Sequence, residues 1–124
     1  MAASLVHVVD DDPAMRDSLA FLLETAGFEV ALYESGASLL DRLTRPARGC
    51  VLTDIRMPGI DGLETARRVL ALQPAQIIIG QTAHAMREEL DRCLAAGMVD
   101  RLVKPLLADD VVGTIRRHCP AARR

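Results

Sequence analysis

The sequence predicts a doubly wound α/β domain built on one parallel sheet, and three observations carry that expectation. Five short apolar runs alternate with five longer segments of helical period, the order of elements in a βα series. Four of the five runs lack clean in/out alternation, as strands covered on both faces do. The chain has 124 residues, the size of one ordinary domain with room for one core.

The first run, Leu5–Val9, is read as the first strand. Asp12 follows as an N-cap with Pro13 in the first turn, and Met15, Leu19, Leu22, Leu23 and Ala26 share one face of a helix that Gly27 stops. Residues 28–32 make the second strand and residues 38–43 a short second helix. Residues 50–53 make the third strand, and Met57, Pro58, Gly59 and Gly62 supply the tight loop after it. Asp61 with Glu64 three residues on reads as a capping box for a helix that carries Leu63, Ala66 and Leu70 and is closed by Pro74. After a fourth strand over 77–79, Met86, Leu90, Cys93, Leu94 and Gly97 mark the apolar face of the fourth helix, with Arg87, Glu88, Glu89, Asp91 and Arg92 on its other faces. Residues 102–103 are the fifth strand, and Leu107, Val111, Val112, Ile115 and Cys119 give the fifth helix its stripe. The domain is expected over residues 1–119, with 120–124 as a tail.

Half of the residues are hydrophobic and 26% charged, but only 2% are aromatic, so the core must be aliphatic. Net charge is −2, and the basic excess of Arg116, Arg117, Arg123 and Arg124 falls at one end, which argues against nucleic-acid binding by this chain. Cys50, Cys93 and Cys119 are odd in number, far apart and without C-x-x-C spacing, so they read as reduced core thiols. Neither a signal-like N-terminus nor an apolar run near ~18 residues is present, and a cytoplasmic location without membrane insertion is expected.

Open parallel sheets work just beyond the carboxyl ends of their strands, where strand order reverses. There the sequence puts Asp10, Asp11 and Asp12 after the first strand, Thr53 and Asp54 at the third, Thr82 after the fourth, and Lys104 with Pro105 after the fifth. Gathering carboxylates is unfavourable, since two unit charges near 4 Å repel by roughly 4 kcal/mol at an effective dielectric near 20. A hard divalent cation offsets that, and Asp10, Asp11 and Asp54 suit Mg²⁺. A carboxylate beside such an ion can attack phosphorus, which makes Asp54 the candidate nucleophile. Lys104 and Thr82 would neutralise and hydrogen-bond the transferred oxygens. Alone, each element has a plainer reading: a solvated turn for the acidic triplet, a surface lysine for Lys104, a packed histidine for His7.

Together, V-D-D at 9–11, T-D-I-R-M-P-G-I-D-G at 53–62, T-A at 82–83 and K-P at 104–105 resemble the receiver (CheY-like) family of two-component response regulators over residues 4–118. The first half resembles receivers of helix-turn-helix transcription regulators, and T-A-H-A-M-R-E-E with C-L-A-A-G-M resembles receivers of hybrid histidine kinases. The resemblance implies a flavodoxin-like (βα)5 fold with the sheet in order 2-1-3-4-5. It implies Mg²⁺ (or Mn²⁺) held by Asp10, Asp11, Asp54 and the backbone carbonyl of Arg56, phosphorylation at Asp54 by a histidine kinase, and phosphoryl contacts from Thr82 and Lys104. A cis bond before Pro105 follows from it as well, and X-Pro tolerates cis far better than other bonds. Thr82, Ala83, Arg101 and Pro105 fall at the switch positions, and Arg56 and His84 where phosphoryl lifetime is modulated. Output through the fourth helix, fifth strand and fifth helix is implied, phosphorylation-dependent homodimerisation being one form of it. Such a domain is no enzyme beyond its own phosphorylation and dephosphorylation.

Two residues depart from the family pattern. Arg101 replaces the usual Tyr or Phe, and Gln81 stands where a buried aliphatic is usual. Because an isolated guanidinium cannot enter an apolar slot, Arg101 is expected to stay outward, paired with Glu88 or Glu89. Two competing readings are a phosphorylation-independent interaction module, which the retained Asp54, Thr82 and Lys104 oppose, and an aspartyl phosphohydrolase. The latter needs an acid/base Asp where Arg56 stands.

Overall fold

The computed structural model describes residues 5–43 and 49–119, so the tail at 120–124, with Arg123 and Arg124, lies outside the described residues. The elements run β1 (Leu5–Val9), α1 (Pro13–Thr25), β2 (Glu29–Tyr33), α2 (Gly36–Arg42), β3 (Cys50–Asp54), α3 (Gly62–Leu72), β4 (Ile77–Thr82), α4 (Arg87–Ala95), β5 (Asp100–Val103) and α5 (Ala108–His118). All strand pairs are parallel, in the order β2-β1-β3-β4-β5. The winding reverses between β1 and β3, so the carboxyl ends of those two strands flank the crevice that such sheets use.

The missing in/out alternation has a direct cause in β1, β3 and β4, which are buried on both faces. Val6 and Val8 of β1, Leu52 of β3 and Ile79 of β4 pack beneath α1 and α5 against Leu19, Leu23, Val111 and Ile115. The intervening Val9, Val51 and Ile78 face the other way, against Leu39 of α2, Ala66 and Val69 of α3 and Cys93 of α4. Each such aliphatic side chain contributes about 1.5–3 kcal/mol on full burial, and the core closes on them as the composition requires. His7 is buried, with Nδ1 2.9 Å from the Tyr33 hydroxyl.

Helix starts follow their caps. Asp12 accepts from the Ala14 N–H at 3.0 Å with Pro13 in the first turn, and Gly27 takes φ +97° after α1. The Ser35 hydroxyl accepts from the Ser38 N–H and starts α2 earlier than the apolar pattern suggests. Asp61 accepts from the Glu64 N–H at 2.8 Å, but the Glu64 carboxylate turns to Arg68 at 2.9 Å and Arg67 at 3.6 Å, so the expected capping box is a one-way cap.

The apolar face expected for the fourth helix needs correction. α4 forms, but it buries Glu89, Cys93 and Ala96, while Met86 is 58% and Leu94 47% exposed. Adjoining stripes of a 3.6-residue period both look apolar here, and a buried carboxylate with partners waiting for it decides between them. The cysteines are buried and free, as expected of core thiols, and Cys50 and Cys119 meet beneath α5: their hydrogen bond and then burial push the Cys50 thiol up, while the same hydrogen bond draws Cys119 down against burial. Among the described residues no helix is long and apolar enough to cross a membrane.

Candidate functional site

Strand pairing carries the site residues to one edge. β4 continues past its apolar run because Asp54 pairs with Gln81, and Gln81 and Thr82 pair with Leu102 and Val103. Two backbone bonds finish the edge, Ile55 N–H to the Gln81 carbonyl at 3.0 Å and Lys104 N–H to the Thr82 carbonyl at 2.7 Å. The loop after β3 folds back tightly: Gly62 donates to the Ile55 carbonyl at 2.8 Å, and a Cβ at Gly62 would strike the Asp54 carbonyl. Only glycine lets α3 begin this close to the aspartate. The Lys104–Pro105 peptide is cis.

Asp10, Asp11 and Asp54 offer carboxylate oxygens within 4.8 Å of one another, with Asp10 and Asp54 buried and Asp11 exposed. Burial raises the carboxyl of Asp10, against the N–H bond from Asp12, and raises that of Asp54, against the neighbouring Lys104 ammonium. Lys104 Nζ lies 3.4 Å from Asp54 Oδ2. One ammonium facing three carboxylates leaves a net negative cup. All-oxygen donors at this spacing fit a hard divalent cation such as Mg²⁺, which usually fills its remaining positions with waters or a phosphate oxygen. Arg56 follows two residues after β3 and is exposed.

Asp10 is held on three sides. Its Oδ1 accepts from the Asp12 N–H at 2.9 Å, its Oδ2 from Gln81 Nε2 at 2.9 Å, and its carbonyl from Arg16 at 2.7 Å. Gln81 and Arg16 are site residues that the sequence reading left without a role. A lone amide in the otherwise apolar stretch before Thr82 is the signal that marks Gln81.

Thr82 comes to the edge but turns away from Asp54. Its buried hydroxyl accepts from the His84 N–H at 3.1 Å and donates to Glu89 Oε1 at 3.2 Å. Glu89 Oε2 in turn accepts from Arg92 at 2.8 Å. Glu89, assigned to a solvated face from its sequence, is 4% exposed and forms the inner wall of α4. Arg101 does stay outward, but not in an ion pair with Glu88 or Glu89. Its guanidinium donates to the carbonyls of His84, Ala85 and Met86 at 3.1, 3.2 and 3.1 Å, spanning the connection into α4. The carbonyls of His84 and Ala85 precede the helix, that of Met86 already accepts from the Glu89 and Leu90 N–H groups at 3.1 and 3.3 Å, and a planar fork of five N–H groups suits all three at once. Ala83, His84 and Pro105 are exposed around this corner.

Comparison with known proteins agrees with this fold. A family model described as the response regulator receiver domain matches residues 6–116. The transcriptional regulatory protein FixJ of Bradyrhizobium diazoefficiens is 41% identical over 122 residues, 95% of this chain and 60% of FixJ. The sensor histidine kinase RcsC of Salmonella typhi is 33% identical over 97% of this chain but only 13% of RcsC. Among solved structures, the chemotaxis protein CheY4 of Vibrio cholerae superposes with a TM-score of 0.88 at 25% identity, covering 94% of this chain and 98% of that one. The chain therefore spans less than two thirds of the curated relatives named here.

Proposed function

The chain belongs to the response regulator receiver domain family, and from that premise we propose that Asp54 is its phosphoacceptor and a histidine kinase its donor. The supporting observation is the convergence of the Asp10, Asp11 and Asp54 carboxylates within 4.8 Å, with Lys104 3.4 Å from Asp54. A carboxylate oxygen of Asp54 attacks phosphorus, the bond to the imidazole nitrogen of the donor phosphohistidine breaks, and the electron pair leaves with that nitrogen. Mg²⁺, or Mn²⁺ in its place, held by Asp10, Asp11, Asp54 and the Arg56 carbonyl, supplies charge neutralisation at the phosphoryl oxygens when bound. Lys104 shifts its ammonium from the Asp54 carboxylate to a phosphoryl oxygen, and Thr82 leaves Glu89 to donate to another. Water later hydrolyses the acyl phosphate at a rate that Arg56 and His84 adjust from the rim.

Phosphorylation matters only as far as it stabilises one conformation over another. The face that changes is α4, β5 and α5, with Thr82, Ala83, Arg101 and Pro105 at its hinge. This face contacts an output domain, a partner protein or a second copy of the chain, in the cytoplasm and without direct contact of this chain with nucleic acid. Mass spectrometry after incubation with acetyl phosphate and Mg²⁺ tests the reading: one phosphoryl group is expected on the wild type and none on Asp54→Ala. Equal incorporation in Asp54→Ala overturns it.

A further inference from the structure

Gln81 is fully buried on an otherwise aliphatic strand, and its amide is only half satisfied. Nε2 donates to Asp10 Oδ2 at 2.9 Å, whereas Oε1 is a buried acceptor with no hydrogen-bond partner among the described residues. Rotating the amide would set Oε1 against the Asp10 carboxylate, so the observed orientation is imposed by that contact. Leaving an amide oxygen unpaired is unfavourable, and an apolar side chain of similar volume would avoid the loss. For stability alone this is a poor residue at this position.

The one bond it makes lands on a distinctive atom. Gln81 pairs in register with Asp54, and Asp10 lies one strand further over, so the amide reaches past the acceptor position to the carboxylate beyond it. The Asp12 N–H holds the other oxygen of the same group at 2.9 Å. Two donors, one on each oxygen, fix the carboxylate plane and leave one acceptor direction on each oxygen for a cation or its water. We infer that Gln81 is a positioning residue for the cation site: it orients Asp10 before the metal arrives, with no contact to metal or phosphoryl group of its own. The inference rests on the reading of Asp10, Asp11 and Asp54 as an Mg²⁺ site. Hydrogen-bond partners of metal ligands commonly set affinity in this way.

The test is calorimetric titration of the whole chain with Mg²⁺ alone, together with melting of the metal-free protein, for the wild type and Gln81→Met. Expected is a rise in the Mg²⁺ Kd of about tenfold for Gln81→Met, with a melting temperature unchanged or higher. An unchanged Kd overturns the inference while leaving the phosphoacceptor reading intact, whereas a wild type that binds no Mg²⁺ overturns both. Ile79→Val, on the same face of the same strand, separates positioning from packing. Should Gln81→Met melt lower, the inference stands if Ile79→Val with a comparable loss of stability keeps the wild-type Kd, and falls if it does not.

Discussion

The acceptor edge and the β4–α4 corner lie side by side, but one is already assembled and the other must come apart to act. At the edge, Asp10, Asp11 and Asp54 have converged and Lys104 sits 3.4 Å from Asp54. At the corner, the Thr82 hydroxyl is bound to Glu89, and Arg101 ties down three successive carbonyls. Charge repulsion stores the demand for a cation at the edge. In the proposed function the corner stores resistance, because Thr82 must give up a bond to a buried carboxylate before it can reach the phosphoryl group. On that reading one event at Asp54 is felt on α4.

Removing the resistance gives the largest effect that would sharpen this contrast. A hydrogen bond to a charged group is worth about 1.5–3 kcal/mol, so Glu89→Leu, which frees Thr82, should tighten binding of the phosphoryl mimic beryllofluoride about tenfold or more. Titration by intrinsic-probe fluorescence or calorimetry measures it, and unchanged or weaker binding would break the contrast. Next comes the charge stored at the edge. Burial raises the Asp10 and Asp54 carboxyls above their unfolded values, so the folded chain holds protons that the unfolded chain has released. Without metal, the contribution of these two groups to stability is therefore most favourable in acid and is lost as pH rises from the ordinary carboxyl range through the raised folded values. Asp54→Asn should flatten that fall and raise the metal-free melting temperature at neutral pH by about 2–5 °C. Melting curves against pH check the sign. The smallest effect belongs to Arg101: its bonds are exposed, and Arg101→Ala should destabilise by only about 0.5–1 kcal/mol while speeding amide exchange at the start of α4. Exchange that speeds equally throughout the domain would deny the clamp its local role.

The same contrast explains what could be read from the sequence. Strand ends are positions along the backbone, and once the βα alternation is recognised, Asp10, Asp54, Thr82 and Lys104 have only one edge to occupy. The strand order and the cis bond before Pro105 came with the family resemblance. The corner depends on where side chains point. Glu89 reads as one more charge on a charged helix, and only the presence of Thr82 and Arg92 on either side of it makes burial tolerable. Arg101 invites an ion pair because Glu88 and Glu89 are close in sequence to the corner, yet three successive carbonyls take its guanidinium instead. The contact between Cys50 and Cys119 is likewise a product of tertiary packing, invisible to spacing rules. Gln81 was legible as an anomaly and opaque as a role, since its partner lies two strands away.

The most direct test of the central claim is a pair of crystal structures with Mg²⁺, with and without beryllofluoride on Asp54. The expected result is that the three carboxylates shift little, while the Lys104 ammonium turns to the beryllofluoride, the Thr82 hydroxyl leaves Glu89 for it and Arg101 stays outward. A Thr82 that keeps its bond to Glu89 in the liganded structure, or an Arg101 that turns inward, would contradict the account.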